Sequence, residues 1–297
     1  MIPYFSISIL HLGPLTIYTW GFVVSIGVLA ALWVAYRRAK DSAMDGGKIL
    51  DLAFWILVAA FIGARLFHVF FYDWMYYRVH LSEIVRIDEG GLSSFGGFIG
   101  AALAFWGYGK KKLWIHNPSQ PPLTLRGGEN GNPPLKIRGG RGSYEIWRYA
   151  DALMFAWPLG HGLARIGCFL THMHPGRLSS VPWAVQYPGG ARLDMGLMES
   201  AVLLSYWIIV WVIVSHRPSP DLRSPSPAGR GGGEGIYLIV GMIFYGLARF
   251  LLDFFRATDL PMSDVRHLGL TPAQYGSIAL VLVGIYFIWQ KKYFSSR

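Results

Sequence analysis

Three arginines stand inside long apolar runs of this chain: Arg65, Arg165 and Arg249. A guanidinium at membrane depth costs at least about 2.5–3.5 kcal/mol and must face a partner or a wetted cavity. Arginine keeps its charge, and its planar fork matches a phosphate through two parallel hydrogen bonds. Asp151, Glu199 and Asp253 are the acids available to these runs. One reading pairs each arginine with a carboxylate or with helix carbonyls. The other leaves positive charge for an anionic ligand, a lipid phosphate, and the shortage of acids favours it. Glycines sharpen this second reading. The run Gly90-Gly91-Leu92-Ser93-Ser94-Phe95-Gly96-Gly97 holds two pairs, Gly160, Gly162 and Gly167 surround Arg165, and Gly176 follows. Glycine lets a helix or a ligand approach the backbone closely. In Thr171-His172-Met173-His174-Pro175-Gly176, His172 and His174 are candidate proton carriers, since an imidazole with a pKa of about 6.5 suits that task. The same His-x-His pair has no third ligand in view, so no metal is expected. Cys168 reads as a small packing residue.

The elements that must position these groups are membrane helices. Apolar stretches begin near Pro14, Lys48, Leu92, Tyr149, Leu197, Ile236 and Ala273, and each runs roughly 18–25 residues, the length a hydrocarbon core demands. Of 297 residues 53% are hydrophobic and only 15% charged, whereas soluble domains carry charge on about a quarter. Twelve Trp, 16 Tyr and 18 Phe suit membrane interfaces. The net charge of +10 sits between the apolar runs, as topology signals and contacts to anionic headgroups, which argues against nucleic acid as a partner. A single cysteine excludes an intrachain disulfide. No Lys or Arg precedes Arg37, so the first run reads as a permanent span and not a cleaved signal.

The expected fold is an all-α membrane protein, one polytopic domain over residues 1–297 with seven transmembrane helices. Alternate loops, from Arg37 to the tail at Arg297, hold eighteen basic residues, and the intervening loops hold six. That asymmetry places the N-terminus outside and the C-terminus in the cytoplasm. Two cytoplasmic loops carry low-complexity insertions, at about 116–143 and 217–235. The first repeats itself, Pro121–Gly128 as PPLTLRGG and Pro133–Gly140 as PPLKIRGG; such composition cannot bury a core. Amphipathic pieces are expected at Ile2–Leu10, Tyr72–Glu89 and Val181–Tyr187.

The chain resembles the prolipoprotein diacylglyceryl transferases along all seven runs. The resemblance rests on Leu12-Gly13-Pro14 with Trp20-Gly21, on Gly63-Ala64-Arg65-Leu66, and on the double-glycine run. It rests further on Arg165-Ile166-Gly167-Cys168-Phe169 with Gly176-Arg177, on Glu199, and on Tyr245-Gly246-Leu247-Ala248-Arg249 with Asp253-Phe254-Phe255-Arg256. It implies transfer of the diacylglyceryl group of phosphatidylglycerol to the lipobox cysteine of a prolipoprotein signal peptide. That is the first step of lipoprotein maturation, in the bacterial inner membrane and without a cofactor. It assigns the family's two membrane arginines to Arg165 and Arg249, its aspartate to Asp151, its tyrosine to Tyr245 and its glutamate to Glu199. Arg165, Arg249, His172, His174 and Tyr245 are then the catalytic candidates. Arg65, Gly96, Gly97, Gly176, Asp151 and Glu199 join the two arginines in holding the phospholipid. Four features depart from the family pattern. Phe95 stands where a histidine is usual, Trp20 replaces a tyrosine and Cys168 an asparagine, and Leu193–Glu199 replaces a His-Pro-Ser/Thr-Gln-Leu-Tyr-Glu stretch. The phosphate-binding half is thus closer to the pattern than the acid–base half. The alternatives are a phospholipid-binding relative with altered catalysis and, more remote, an anion transporter.

Overall fold

A computed structural model describes residues 1–42, 44–86, 91–110, 141–215, 235–261, 263, 264 and 266–295. The two low-complexity insertions fall almost wholly outside these residues. In chain order the elements are β1 (Ile9–Leu12), β2 (Leu15–Tyr18), α1 (Thr19–Asp41), α2 (Gly46–Phe71), α3 (Trp74–Tyr77), α4 (Ser94–Tyr108), α5 (Arg141–Leu170), β3 (Pro175–Leu178), β4 (Val185–Tyr187), β5 (Gly190–Asp194), α6 (Met195–Ser215), α7 (Ile236–Leu252) and α8 (Pro272–Ser295). Among the described residues, six helices are long and apolar enough to cross a membrane: Thr19–Asp41, Gly46–Phe71, Ile146–Leu170, Met195–Ser215, Ile236–Phe255 and Pro272–Gln290. The protein is therefore a mostly helical, multi-pass membrane protein. The expected third span is a shorter apolar helix, Phe95–Tyr108. At 1.5 Å per residue the 15 residues of α4 rise about 22 Å, short of a hydrocarbon core of about 30 Å.

The chain forms two compact units, residues 39–149 and residues 1–38 with 150–297. In the first, α2 and α4 meet backbone to backbone. A Cβ added at Gly63 or Gly96 would collide with the main chain of the other glycine, and one at Gly100 with that of Ala59. Small residues at such a crossing let dispersion act over short distances, which is the main attraction available between helices in lipid. Asp45 starts α2 by accepting from Gly47 N at 2.8 Å, satisfying a first-turn donor.

The second unit holds α1, the greater part of α5, α6, α7 and α8. Helices α1 and α5 approach through Gly27 and Gly160: a Cβ on Gly27 would stand 2.5 Å from Gly160 O. Thr271-Pro272-Ala273-Gln274 opens α8 as a reciprocal cap, Gln274 N donating to Thr271 Oγ1 and Thr271 N to Gln274 Oε1 at 3.0 Å. Not all of this unit is helical. Segments expected as amphipathic helix contribute strands instead: Ile9–Leu12 pairs with Leu15–Tyr18 across a left-handed Gly13, φ 61°. Val185–Tyr187 is an edge of the antiparallel sheet β3-β5-β4, and Ile2 bridges to it, its N–H on Ala184 O at 2.8 Å. Glycine at positive φ, at Gly13, Gly189 and Gly190, and Pro182 favour turns over helix here.

Candidate functional site

The second unit brings together the two arginines that chemistry singled out. Arg165 projects from the last turns of α5 and Arg249 from the last turn of α7. Between them lies Glu199, one turn into α6 and 2% exposed. Arg249 Nη1 donates to Glu199 Oε1. Arg165 Nε stands 2.7 Å from Glu199 Oε2, an ion pair by distance. The N–H does not aim at that oxygen, so Arg165 Nε and Glu199 Oε2 are both buried without a directed hydrogen bond. Arg249 also lies 3.3 Å from Asp253, a fully buried carboxylate that accepts the Thr271 hydroxyl. Arg256 pairs with the exposed Asp264 at 2.8 Å. The sequence alternatives thus meet halfway: the guanidinium groups converge, and they do so on a carboxylate of the protein. Arg165 and Arg249 share the Glu199 carboxylate, and Asp253 is a second carboxylate on Arg249 alone, so an incoming anion would compete with Glu199 for the two guanidiniums.

A small recess beside this cluster is lined by Glu199, Val202, Leu203, Tyr245, Ala248, Arg249 and Leu252. Its walls are apolar apart from Glu199, Tyr245 and Arg249, a surface suited to a ligand with a hydrocarbon part and one charged group. Tyr245, one turn before Arg249 on α7, packs edge-on against Trp157 at 4.7 Å and His161 at 5.7 Å. His161 stacks on Trp157 at 4.9 Å, with Nε2 buried and unpartnered. The sequence pattern does not single out His161 as a site residue. Its place one helical turn before Arg165 was the available signal, because positions i and i+4 share a face.

The other candidates take different places. His172 is enclosed: its side chain is 1% exposed, packed among Tyr4, Phe5, Phe169 and Tyr187. Its Nδ1 lies 2.8 Å from Asp194 Oδ2, which also accepts the Tyr187 hydroxyl at 2.5 Å. Asp194 Oδ1 takes Leu197 N at 3.0 Å and so caps α6. His172 with Asp194 is therefore a pin joining the end of α5 to the start of α6. His174 lies nearer the chemistry. Burial, reinforced by the charges of Arg165, Arg256 and Arg249, pulls its imidazole down to about 4, so it is neutral near pH 7. Gly176 is a packing glycine, for a Cβ there would meet Phe255 O at 2.7 Å and Leu193 O at 2.8 Å. Asp151 caps α7, accepting Gly235 N at 2.6 Å and Leu238 N at 3.0 Å. It precedes Arg165 by fourteen residues, about 21 Å along α5.

Arg65, Gly96 and Gly97 belong to the first unit. Four main-chain oxygens take up the Arg65 guanidinium: Ile84 O at 2.8 Å, Glu83 O at 2.6 Å, Arg86 O at 2.8 Å and Gly91 O at 3.2 Å. It braces the segment before α4, as the helix-carbonyl reading anticipated in kind. Gly96 serves the α2–α4 crossing, whereas a Cβ at Gly97 would meet only ordinary contacts, Ala60 O at 3.7 Å. Phe95 is 37% exposed and lies 6.5 Å from Phe67, ring to ring. Among the described residues no cluster of three metal-ligating side chains occurs.

Comparison with known proteins bears on this geometry. The family model for prolipoprotein diacylglyceryl transferase matches residues 8–121 and 136–290. A phosphatidylglycerol–prolipoprotein diacylglyceryl transferase of Ectopseudomonas mendocina (strain ymp) is 29% identical over 294 residues, covering 96% of this chain and 94% of its own. The enzyme of that name from Mannheimia succiniciproducens is 29% identical, with 96% and 92% covered, and that of Pseudomonas entomophila 28%, with 97% and 95%. With matched segments that include α1, α2, α4 to α7 and the greater part of α8, and so every residue of the Arg165–Glu199–Arg249 cluster, the chain belongs to the prolipoprotein diacylglyceryl transferase family.

Proposed function

We propose that this chain transfers the diacylglyceryl group of phosphatidylglycerol to the cysteine thiol of a prolipoprotein lipobox, in a bacterial inner membrane. The observation that carries this reading is the convergence of Arg165 and Arg249 on a single carboxylate beside an apolar recess. The lipid phosphate enters between the two guanidiniums and Tyr245 faces its headgroup, while the acyl chains follow the apolar wall and the surrounding bilayer. In a poorly solvated site fixed cations act strongly on charge that develops during reaction. Here that charge is the second negative charge of the departing glycerol phosphate. Sulfur attacks the glycerol carbon, and the electrons of the broken C–O bond leave with the phosphate. The neutral state of His174 near pH 7 keeps a further positive charge out of the cluster.

In this reading α4 is the third of seven crossings, the N-terminus is outside, and Glu199 and Arg249 face the outer leaflet, where a translocated lipobox arrives. The test is direct. Protein reconstituted with phosphatidylglycerol should add the diacylglyceryl mass to a lipobox peptide. Arg165→Ala and Arg249→Ala should each lower the rate by about 10²–10³, the loss typical of one charge-stabilising donor. Activity retained in both variants would remove the phosphate clamp from the argument.

A further inference from the structure

Transfer to a thiol needs a proton acceptor, and the position where the family pattern has histidine is Phe95 in this chain. The two outer histidines are poorly placed for that duty. His172 is locked by Asp194 inside an aromatic cage. His174 binds a proton only near pH 4, and a thiol has a pKa of about 8.5.

The cluster holds another acceptor. Glu199 Oε2 is buried and receives no directed hydrogen bond, although the carboxylate lines the recess together with Arg249 and Tyr245. We infer that Glu199 accepts the proton of the substrate thiol once the lipid phosphate has taken over the guanidinium groups of Arg165 and Arg249. This rests on the function proposed above. In the lipid-free state Glu199 stands where an anion would stand. An arriving phosphodiester competes for the same two cations, and the Arg165 side of the bridge yields first because its N–H is not aimed at Oε2. A carboxylate deprived of counter-charge at low exposure binds a proton more tightly.

Charge balance supports the assignment. Before reaction the two guanidiniums face a phosphodiester of one negative charge and the Glu199 carboxylate. The thiol proton moves to Glu199, the sulfur–carbon bond forms, and the carbon–oxygen bond breaks with its electrons on the phosphate. The two guanidiniums then face a phosphomonoester dianion beside a neutral Glu199. The net charge of the buried cluster stays constant throughout, whereas a distant base would leave it one unit more negative. The titratable and charged groups around Glu199 are His161, Arg165 and Cys168 from α5, Tyr245 and Arg249 from α7, Asp253 just beyond it, and His174 from the outer segment. Asp253 is held by Arg249 and Thr271 and does not line the recess.

The experiment compares pH–rate profiles of wild type and Glu199→Gln for a lipobox peptide in phosphatidylglycerol vesicles, with lipid affinity measured alongside. At pH 7 only about 3% of a thiol of pKa near 8.5 is ionised, so the variant should be about 30-fold slower there. Its rate should then rise about tenfold per pH unit toward 8.5, with lipid affinity equal or higher. A peptide carrying selenocysteine, ionised at neutral pH, should restore most of the rate. A variant slowed equally at every pH and not rescued by selenocysteine would overturn the inference. The wild type supplies a check that no substitution can confound. Binding of glycerol phosphate dianion, followed by calorimetry in buffers of different ionisation enthalpy, should take up about one proton per site; no uptake overturns the proposal. Should Arg165→Ala and Arg249→Ala leave lipid affinity unchanged, the phosphate clamp fails instead, whatever the Glu199 variant does.

Discussion

Substituting Asp194 by alanine tests how the outer segment holds the arginine cluster together. Asp194 is 1% exposed and meets three donors: Leu197 N at 3.0 Å, the His172 ring at 2.8 Å and the Tyr187 hydroxyl at 2.5 Å. Losing a helix cap costs about 1 kcal/mol. Each buried donor left without a partner costs about 1–3 kcal/mol. These overlap, because the Tyr187 hydroxyl still has His172 Nδ1 at 3.2 Å. The expected loss for Asp194→Ala is therefore about 3–5 kcal/mol. Asp194→Asn, which keeps an oxygen for Leu197 N, should lose about half as much. The assay is denaturant unfolding in mixed micelles for Asp194→Ala, His172→Ala and the double variant. Their losses should be non-additive, with a coupling of about 2 kcal/mol. Glu199 sits one turn into the helix that Asp194 caps, so lipidation activity should fall along with stability. A loss under about 1 kcal/mol, or strict additivity, would refute the pin between α5 and α6.

Two further outcomes follow from burial and close packing. His174 has a folded pKa of about 4, below its ordinary value of about 6.5. The unfolded chain therefore takes up that proton first, and stability is full above pH 6.5 and lost as pH falls toward 4, by at most about 3 kcal/mol. His174→Gln should flatten this window in unfolding midpoints recorded from pH 4 to 7; an unchanged slope would show that other groups carry it. Gly27→Leu should force α1 from α5, since even a Cβ there meets Gly160 O at 2.5 Å and Ala164 N at 3.3 Å. A loss of about 1–3 kcal/mol in unfolding is expected, and a wild-type midpoint would deny the contact.

Much of this architecture is legible in local sequence. Apolar length alone identifies six of the helices, and arginine's fixed charge inside α5 and α7 identifies the groups that need an anion. What escapes is whatever depends on distances across the chain. Whether Arg65 seeks a phosphate or a carbonyl depends on the main-chain oxygens of Glu83, Ile84, Arg86 and Gly91 standing against it, and no spacing encodes that approach. Asp151 looks like a partner for Arg165 until α5 is drawn at 1.5 Å per residue; the donors it meets belong to the start of α7. His172 reads as a base because composition cannot tell an open imidazole from one walled in by Tyr4 and Phe5. The strands around Val185 and Ile9 look amphipathic by composition, and pairing partners decide their form.

Glu199 and Arg249 sit toward one end of their helices, with practical value for labelling. Glu199 is sixteen residues from the end of α6 at Ser215, and Arg249 thirteen from the start of α7 at Ile236, or about 24 Å and 20 Å along the helix axes. A fluorescent reporter or an affinity handle spliced in after Ser215 therefore enters the polypeptide about 24 Å along α6 from Glu199, and a purification scheme built there leaves the candidate site untouched.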